Sequence, residues 1–142
     1  MADHVAYRGY MAEEIRCSWQ SAGEVTLPGV KLAFPRVPDG PGLYRFVLVG
    51  PPGPVRVYLG QSGHLRRRFR HYRSPGGPGE SDTTKYRVNA QLREALQSGC
   101  RVAVDIAVQV EGTDLTAKAG RRRAEDAELA GARRAGYSVL NR

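Results

Sequence analysis

The sequence predicts a small α/β domain of the α+β type, in which a three-stranded antiparallel sheet is flanked by helices. Three observations lead there. Two β-rich runs, Leu43 to Val49 and Val55 to Leu59, are separated by Gly50-Pro51-Pro52-Gly53-Pro54, a spacing that makes them antiparallel hairpin neighbours. A third run, Arg101 to Val110, alternates Val102, Val104, Ile106, Val108 and Val110 with mostly polar residues, as a half-buried strand does. Between and after these runs, apolar residues recur at the three- and four-residue spacing of a helix.

Taken in order, the chain begins with Met11, Ile15 and Trp19 four apart, which predicts a short helix over about residues 8–20. In the Pro- and Gly-punctuated stretch that follows, Val30, Leu32 and Phe34 alternate like a short strand. After the hairpin, Gly60 and Gly63 end the second strand, and Leu65, Phe69 and Tyr72 form the apolar stripe of a helix over about 65–73. Ser74-Pro75-Gly76-Gly77-Pro78-Gly79 cannot continue that helix and opens a loop to about Thr84. Val88, Leu92 and Leu96 mark a second helix over about 86–98, stopped by Gly99. A third helix covers about 121–135 and stops at Gly136. Residues 1–40 read as an N-terminal arm and 41–142 as one compact core, with no internal repeat.

The 142 residues suffice for one domain, and no apolar run approaches the roughly 20 residues that span a bilayer. No basic segment followed by an apolar stretch opens the chain, so the expected setting is the cytoplasm. Cys17 and Cys100 match no zinc spacing and are expected to be free thiols. Net charge is +8, and all but Lys31, Lys85 and Lys118 of the 22 basic residues are Arg. An arginine-rich basic domain without a membrane signal expects a polyanion, above all nucleic acid, although GC-rich coding produces the same bias. Gly60-Gln61-Ser62-Gly63 lacks the lysine of a phosphate-binding loop, which excludes that route to nucleotide hydrolysis.

Several residues could carry chemistry. The hairpin brings Tyr44 and Tyr58 to one rim of the sheet, although tyrosines also pack there without function. On the following helix Arg66, Arg70 and Arg73 fall on one flank, Arg67 points away from the core, and Arg68 and His71 share the other flank. A guanidinium is a rigid fork of donors suited to a phosphate; the alternative is a solvated basic face. The third helix opens on Arg121-Arg122-Arg123 and places Glu125 and Glu128 on or beside its apolar side. A carboxylate there needs a partner, either an arginine or a hard cation such as Mg²⁺.

Together these positions resemble the GIY-YIG nuclease family. Gly42-Leu43-Tyr44 stands for its first motif and Tyr58-Leu59-Gly60 for its second, each with Leu in place of Ile. Arg68 lies ten residues after the second tyrosine, His71 follows one turn later, Glu128 sits on a late helix with Glu125 as its rival, and Asn141 lies near the end. The resemblance covers about residues 41–141. It implies a metal-dependent endonuclease acting on DNA, with RNA left open. Glu128 would hold Mg²⁺ or Mn²⁺, and Tyr44 would help to deprotonate the attacking water. Tyr58 and His71 would orient that water or the phosphate, Arg68 would stabilise the pentavalent phosphate, and Asn141 would shape the site. Arg66, Arg67, Arg70, Arg73, Arg121, Arg122 and Arg123 would grip the nucleic acid. Restriction, mobile-element and repair nucleases share this pattern, and the restriction type often cuts as a homodimer. The competing expectation is a catalytically inactive, basic nucleic-acid-binding module of the same fold.

Overall fold

A computed structural model describes residues 16–50, 53–75 and 83–141. In chain order the elements are β1 (Arg16–Cys17), β2 (Gln20–Val25), β3 (Gly42–Val49), β4 (Arg56–Ser62), α1 (Leu65–Arg73), α2 (Thr83–Gln97), β5 (Arg101–Ala107), β6 (Val110–Glu111), α3 (Lys118–Arg134) and β7 (Ser138–Val139). The architecture is mixed α/β. The main sheet has five strands in the order β2-β5-β3-β4-β7, where the sequence predicts three. The three expected strands form its antiparallel centre. To these the structure adds β2, antiparallel to β5, and the two-residue β7, parallel to β4.

Strand β3 is central because it can be buried on both faces. Its residues from Gly42 to Leu48 are all buried, and their side chains alternate between two cores. Tyr44, Phe46 and Leu48 face α1 and α2, joined there by Leu65, Phe69, Tyr72, Val88 and Leu92. Leu43 and Val47 belong to the α3 side, with Ala124 and Ala132. Arg45 is the polar exception on that side. The β3–β5 register sets it directly opposite Asp105, and its Nε donates to Asp105 Oδ2 at 2.8 Å. Both residues are only 2% exposed.

The helix α1 begins and ends where the sequence places it, and Leu65, Phe69 and Tyr72 are its buried stripe. Helix α2 starts at Thr83 and α3 at Lys118, each about three residues earlier than the apolar period indicates, because periodicity registers only the turns that touch the core. Gly136, at φ 86°, terminates α3, and Tyr137 N–H returns to Ala132 O at 3.1 Å in a helix-ending hydrogen bond.

Elsewhere the expected elements change. Of the helix over 8–20, residues 8–15 lie outside the described residues, while 16–20 hold β1 and the start of β2, with Trp19 in the turn between them. The strand expected around Val30, Leu32 and Phe34 reduces to one bridge, Thr26 with Ala33, and Val30 is 81% exposed. The run Arg101 to Val110 breaks after Ala107, and Val110 turns away to pair with Cys17 of β1. Residues 20–25 join the sheet of the core even though they precede residue 41. Cys17 and Cys100 are buried and not joined by a disulfide, and Arg56 donates to Cys100 Sγ at 3.8 Å. Among the described residues no helix is long and apolar enough to cross a membrane.

Candidate active site

Strand register begins the site. Tyr44 pairs with Gly60 and Phe46 with Tyr58, so both tyrosines project to the α1–α2 side one step apart. Gly60 makes room for the first of them: a Cβ there would lie 2.3 Å from both Cζ and the hydroxyl oxygen of Tyr44. A Gly60→Ala substitution is therefore expected to displace the Tyr44 ring, with a cost of about 1–3 kcal/mol read by chemical denaturation.

Helix α1 supplies the next groups. Tyr72 Oη and Tyr44 Oη are hydrogen-bonded at 2.5 Å, and Tyr58 lies beside the same Tyr72 hydroxyl. One turn earlier, Arg68 is half-buried, with its guanidinium against the Tyr44 and Tyr72 oxygens. Burial works against the charge of Arg68, but those two oxygens hold it above its ordinary value. Burial, followed by the closeness of Tyr58, raises Tyr44; burial and the closeness of Tyr72 raise Tyr58. All three phenols are thus neutral at pH 7 and act as hydrogen-bonding groups.

Helix α3 brings the acid. Glu125 lies close enough to Tyr44, Tyr58 and Arg68 to influence their ionisation or be influenced by it. Its carboxyl is pushed up to about 7, first by burial and then by Asp126, against the pull of Arg122 and Arg68. Three elements therefore converge: the β3–β4 hairpin, α1 and α3. They meet beside a cleft of about 610 Å³, whose walls include Ser62, Gly63, Arg67, Arg68, His71 and Arg121.

With this geometry in view, comparison with known proteins adds one structural neighbour. The chain is similar to EndoII of bacteriophage T4. A mutant of that protein aligns at a TM-score of 0.49 and 22% identity, over 63% of this chain and 65% of that one. No protein-family model and no curated protein matches the chain.

The remaining candidates separate. Glu128 is fully buried on the α3 side of the sheet. Its Oε1 accepts from Trp19 Nε1 at 2.9 Å, and the Trp19 ring in turn lies 4.2 Å from the Arg45 guanidinium carbon. Burial raises its carboxyl, while the Trp19 hydrogen bond and Arg45 lower it. The groups that perturb Tyr44 and Tyr58 include Glu125 and not Glu128. His71 is exposed on the cleft wall that it shares with Arg68, and its imidazole is lowered by partial burial and then by Lys85, Arg68 and other cations. Asn141 clamps the backbone of Leu59, accepting from its N–H at 3.0 Å and donating to its carbonyl at 2.6 Å. This bond steadies the strand between Tyr58 and Gly60.

Among the basic residues, Arg67 is exposed beside the cleft, and Arg122 and Arg123 are exposed on α3. Arg121 is buried and spends its donors inside the protein, on Gln61 Oε1 at 2.8 Å and on the Leu115 and Thr116 carbonyls. Arg66 donates to Val37 O at 3.0 Å, and Arg66, Arg70 and Arg73 line a different cleft. Tyr72, which the sequence places in the core stripe alone, also belongs to the site. The available signal was its position four residues after Arg68, which puts the two side chains one above the other.

Proposed function

We propose that this chain is a metal-dependent endonuclease that hydrolyses phosphodiester bonds in DNA. The observation that carries this reading is the meeting of Arg68, Glu125 and the Tyr44–Tyr58–Tyr72 cluster beside a basic cleft. The phenols supply oriented hydrogen bonds, the guanidinium a fixed charge, and the carboxylate an anion, while the cleft offers cations to a phosphate chain.

Among the described residues, no group of three or more His, Cys, Asp or Glu is placed to hold a metal ion. A hard cation can rest on one carboxylate with waters and substrate oxygens completing its shell. Glu125 fits that demand better than Glu128. Burial raises both carboxyls, and Glu128 Oε2 has no hydrogen-bond partner among the described residues, but only Glu125 is half-buried beside Arg68, where water and a phosphate oxygen can complete a cation's shell. Glu128 is enclosed under Trp19 on the other side of the sheet. We therefore assign the metal, Mg²⁺ or Mn²⁺, to Glu125, and a structural role to Glu128.

When bound, such a cation supplies Lewis-acid neutralisation of the charge on the leaving oxygen. Arg68 donates to the non-bridging oxygens and stabilises their growing charge in the transition state. Tyr44 and Tyr58, buried and neutral at pH 7, would orient the attacking water through the hydrogen-bond network around Arg68, and that water's proton would pass to solvent in the cleft. Tyr72 fixes the Tyr44 hydroxyl and stands one turn along from Arg68. Arg67, His71, Arg122 and Arg123 extend the basic surface along the phosphate backbone. One site cuts one strand, so a double-strand break takes either two copies of the chain or two successive cuts by one.

The test is incubation of purified protein with supercoiled plasmid and Mg²⁺ or Mn²⁺, with EDTA and Arg68→Ala as controls. Discrete metal-dependent cuts are expected, lost in both controls. Their fragment pattern separates restriction-like cutting from structure-selective repair or mobile-element cutting. Tight, salt-sensitive binding without cleavage of plasmid, branched or modified DNA would instead identify an inactive binding module.

A further inference from the structure

Helix α1 is basic on two flanks, and only one of them borders the site above. The flank of Arg66, Arg70 and Arg73 borders a second cleft, about 420 Å³, whose opposite wall is formed by residues between 28 and 37. Its surface is largely apolar and includes Phe34, Pro35 and Phe69; the Phe34 and Phe69 ring centroids are 5.3 Å apart, tilted by 34°. The Arg66 hydrogen bond to Val37 O ties helix and segment together across it. Lys31 and Arg36 add two more cations to the rim, and no acidic residue lines the cleft.

We propose that this cleft holds an unpaired nucleobase of a DNA strand that crosses α1 from the catalytic cleft. The cleft falls at the small end of the roughly 300–1,000 Å³ common to small-ligand sites, which admits a single base and excludes a duplex. The half-buried Phe34 ring in an apolar surface suits the face of a base, and charged lining residues that are all cationic suit the phosphates on either side of it. The position suits a continuous strand. The two clefts are separated by one helix, about 10–12 Å across with its side chains, or about three nucleotides at the ~3.4 Å axial rise of one strand. The inference rests on the nucleic-acid reading above and adds a substrate class to it: DNA with an extrahelical or unstacked nucleotide a few positions from the cut.

Binding of fluorescent DNA, measured in EDTA so that nothing is cut, tests the proposal. The probes are a fully paired duplex, the same duplex with one extrahelical base, and the extrahelical probe made abasic at that nucleotide. The extrahelical base is expected to tighten binding about tenfold, within the range of one base–aromatic stack, and the abasic probe to lose that gain. Phe34→Leu, which keeps an apolar side chain and removes the ring, is expected to erase the difference between the probes. If that variant does not fold by thermal melting, the abasic comparison on the unaltered protein decides alone. Equal affinity for the extrahelical and abasic probes, or a full preference surviving in folded Phe34→Leu, overturns the proposal. Cleavage of paired plasmid without any such preference removes this inference and leaves the nuclease reading intact. Failure to bind any of the three probes overturns this inference, while the plasmid assay with metal decides the nuclease reading by itself.

Discussion

Glu125→Ala is expected to lower metal-dependent cleavage by about 10²–10³-fold or more, the range for losing one preorganised electrostatic group at a transition state. Glu128→Gln, which keeps an oxygen for Trp19 Nε1, is expected to leave the cleavage rate within a few-fold of the unaltered protein. The pair of variants discriminates between two carboxylates one helical turn apart. Loss of cleavage in folded Glu128→Gln, with activity retained in Glu125→Ala, would reverse the assignment. The acidity of Glu125 supplies a second readout. Its folded value of about 7 lies above the ordinary 4.5, so the folded state binds more protons than the unfolded chain between those values. Its contribution therefore favours the folded state at low pH, and stability declines as pH rises from about 4.5 to about 7. Glu125→Gln should flatten that slope in metal-free protein. A cation competes with the proton, so the pH at which cleavage reaches half its plateau should fall as Mg²⁺ is raised.

The largest stability effect is expected at Asp105. Removing its carboxylate takes from the buried Arg45 guanidinium the partner 2.8 Å away while Glu128 stays near it, and Asp105→Ala should cost up to about 3–5 kcal/mol. The Trp19 ring over Arg45 compensates in small part, since one cation–π contact contributes only about 0.5–2 kcal/mol. Replacing both charges by apolar residues of similar volume should recover most of the loss, because the desolvation cost of the pair disappears with it. Urea unfolding of the two single variants and the double variant measures the coupling. A single-variant cost below about 1 kcal/mol, the worth of an exposed pair, would show that water reaches Arg45.

Local pattern made much of this molecule legible. The pairing of β3 with β4, the apolar stripe of α1 and the strand at β5 each depend on residues close in sequence, and each appears in the structure, although β5 is buried on both faces rather than half-buried. The elements that stayed hidden depend on distant partners. Strand β7 has two residues and exists through its pairing with β4, some 80 residues earlier. Strand β2 is polar and bulged between Ser21 and Gly23, so its identity comes from the edge of β5 that it covers. Trp19 fits a helical period with Met11 and Ile15, yet it lies in a turn, held by Arg45 and Glu128.

The site divides along the same line. Tyr44, Tyr58 and Arg68 could be placed from strand register and helical phase. The choice between Glu125 and Glu128 could not, because both lie on the apolar side of α3. Only the docking of that helix on the sheet decides which carboxylate faces a neighbour's indole and which reaches the phenols. Tyr72 was obscured by serving two purposes at once: its ring fills the core while its hydroxyl meets Tyr44.

The Asn141 clamp on Leu59 also bears on when the site can exist. The two residues are 82 positions apart, so the strand carrying Tyr58 lacks this clamp until the ribosome has added the whole intervening chain. At roughly 5–20 residues per second that takes on the order of 4–16 s. Throughout that interval Tyr58 and Gly60 belong to a strand whose outer edge is open, and Glu125 has not yet been made for most of it. A growing chain therefore carries its α1 arginines for seconds before β4 gains this clamp.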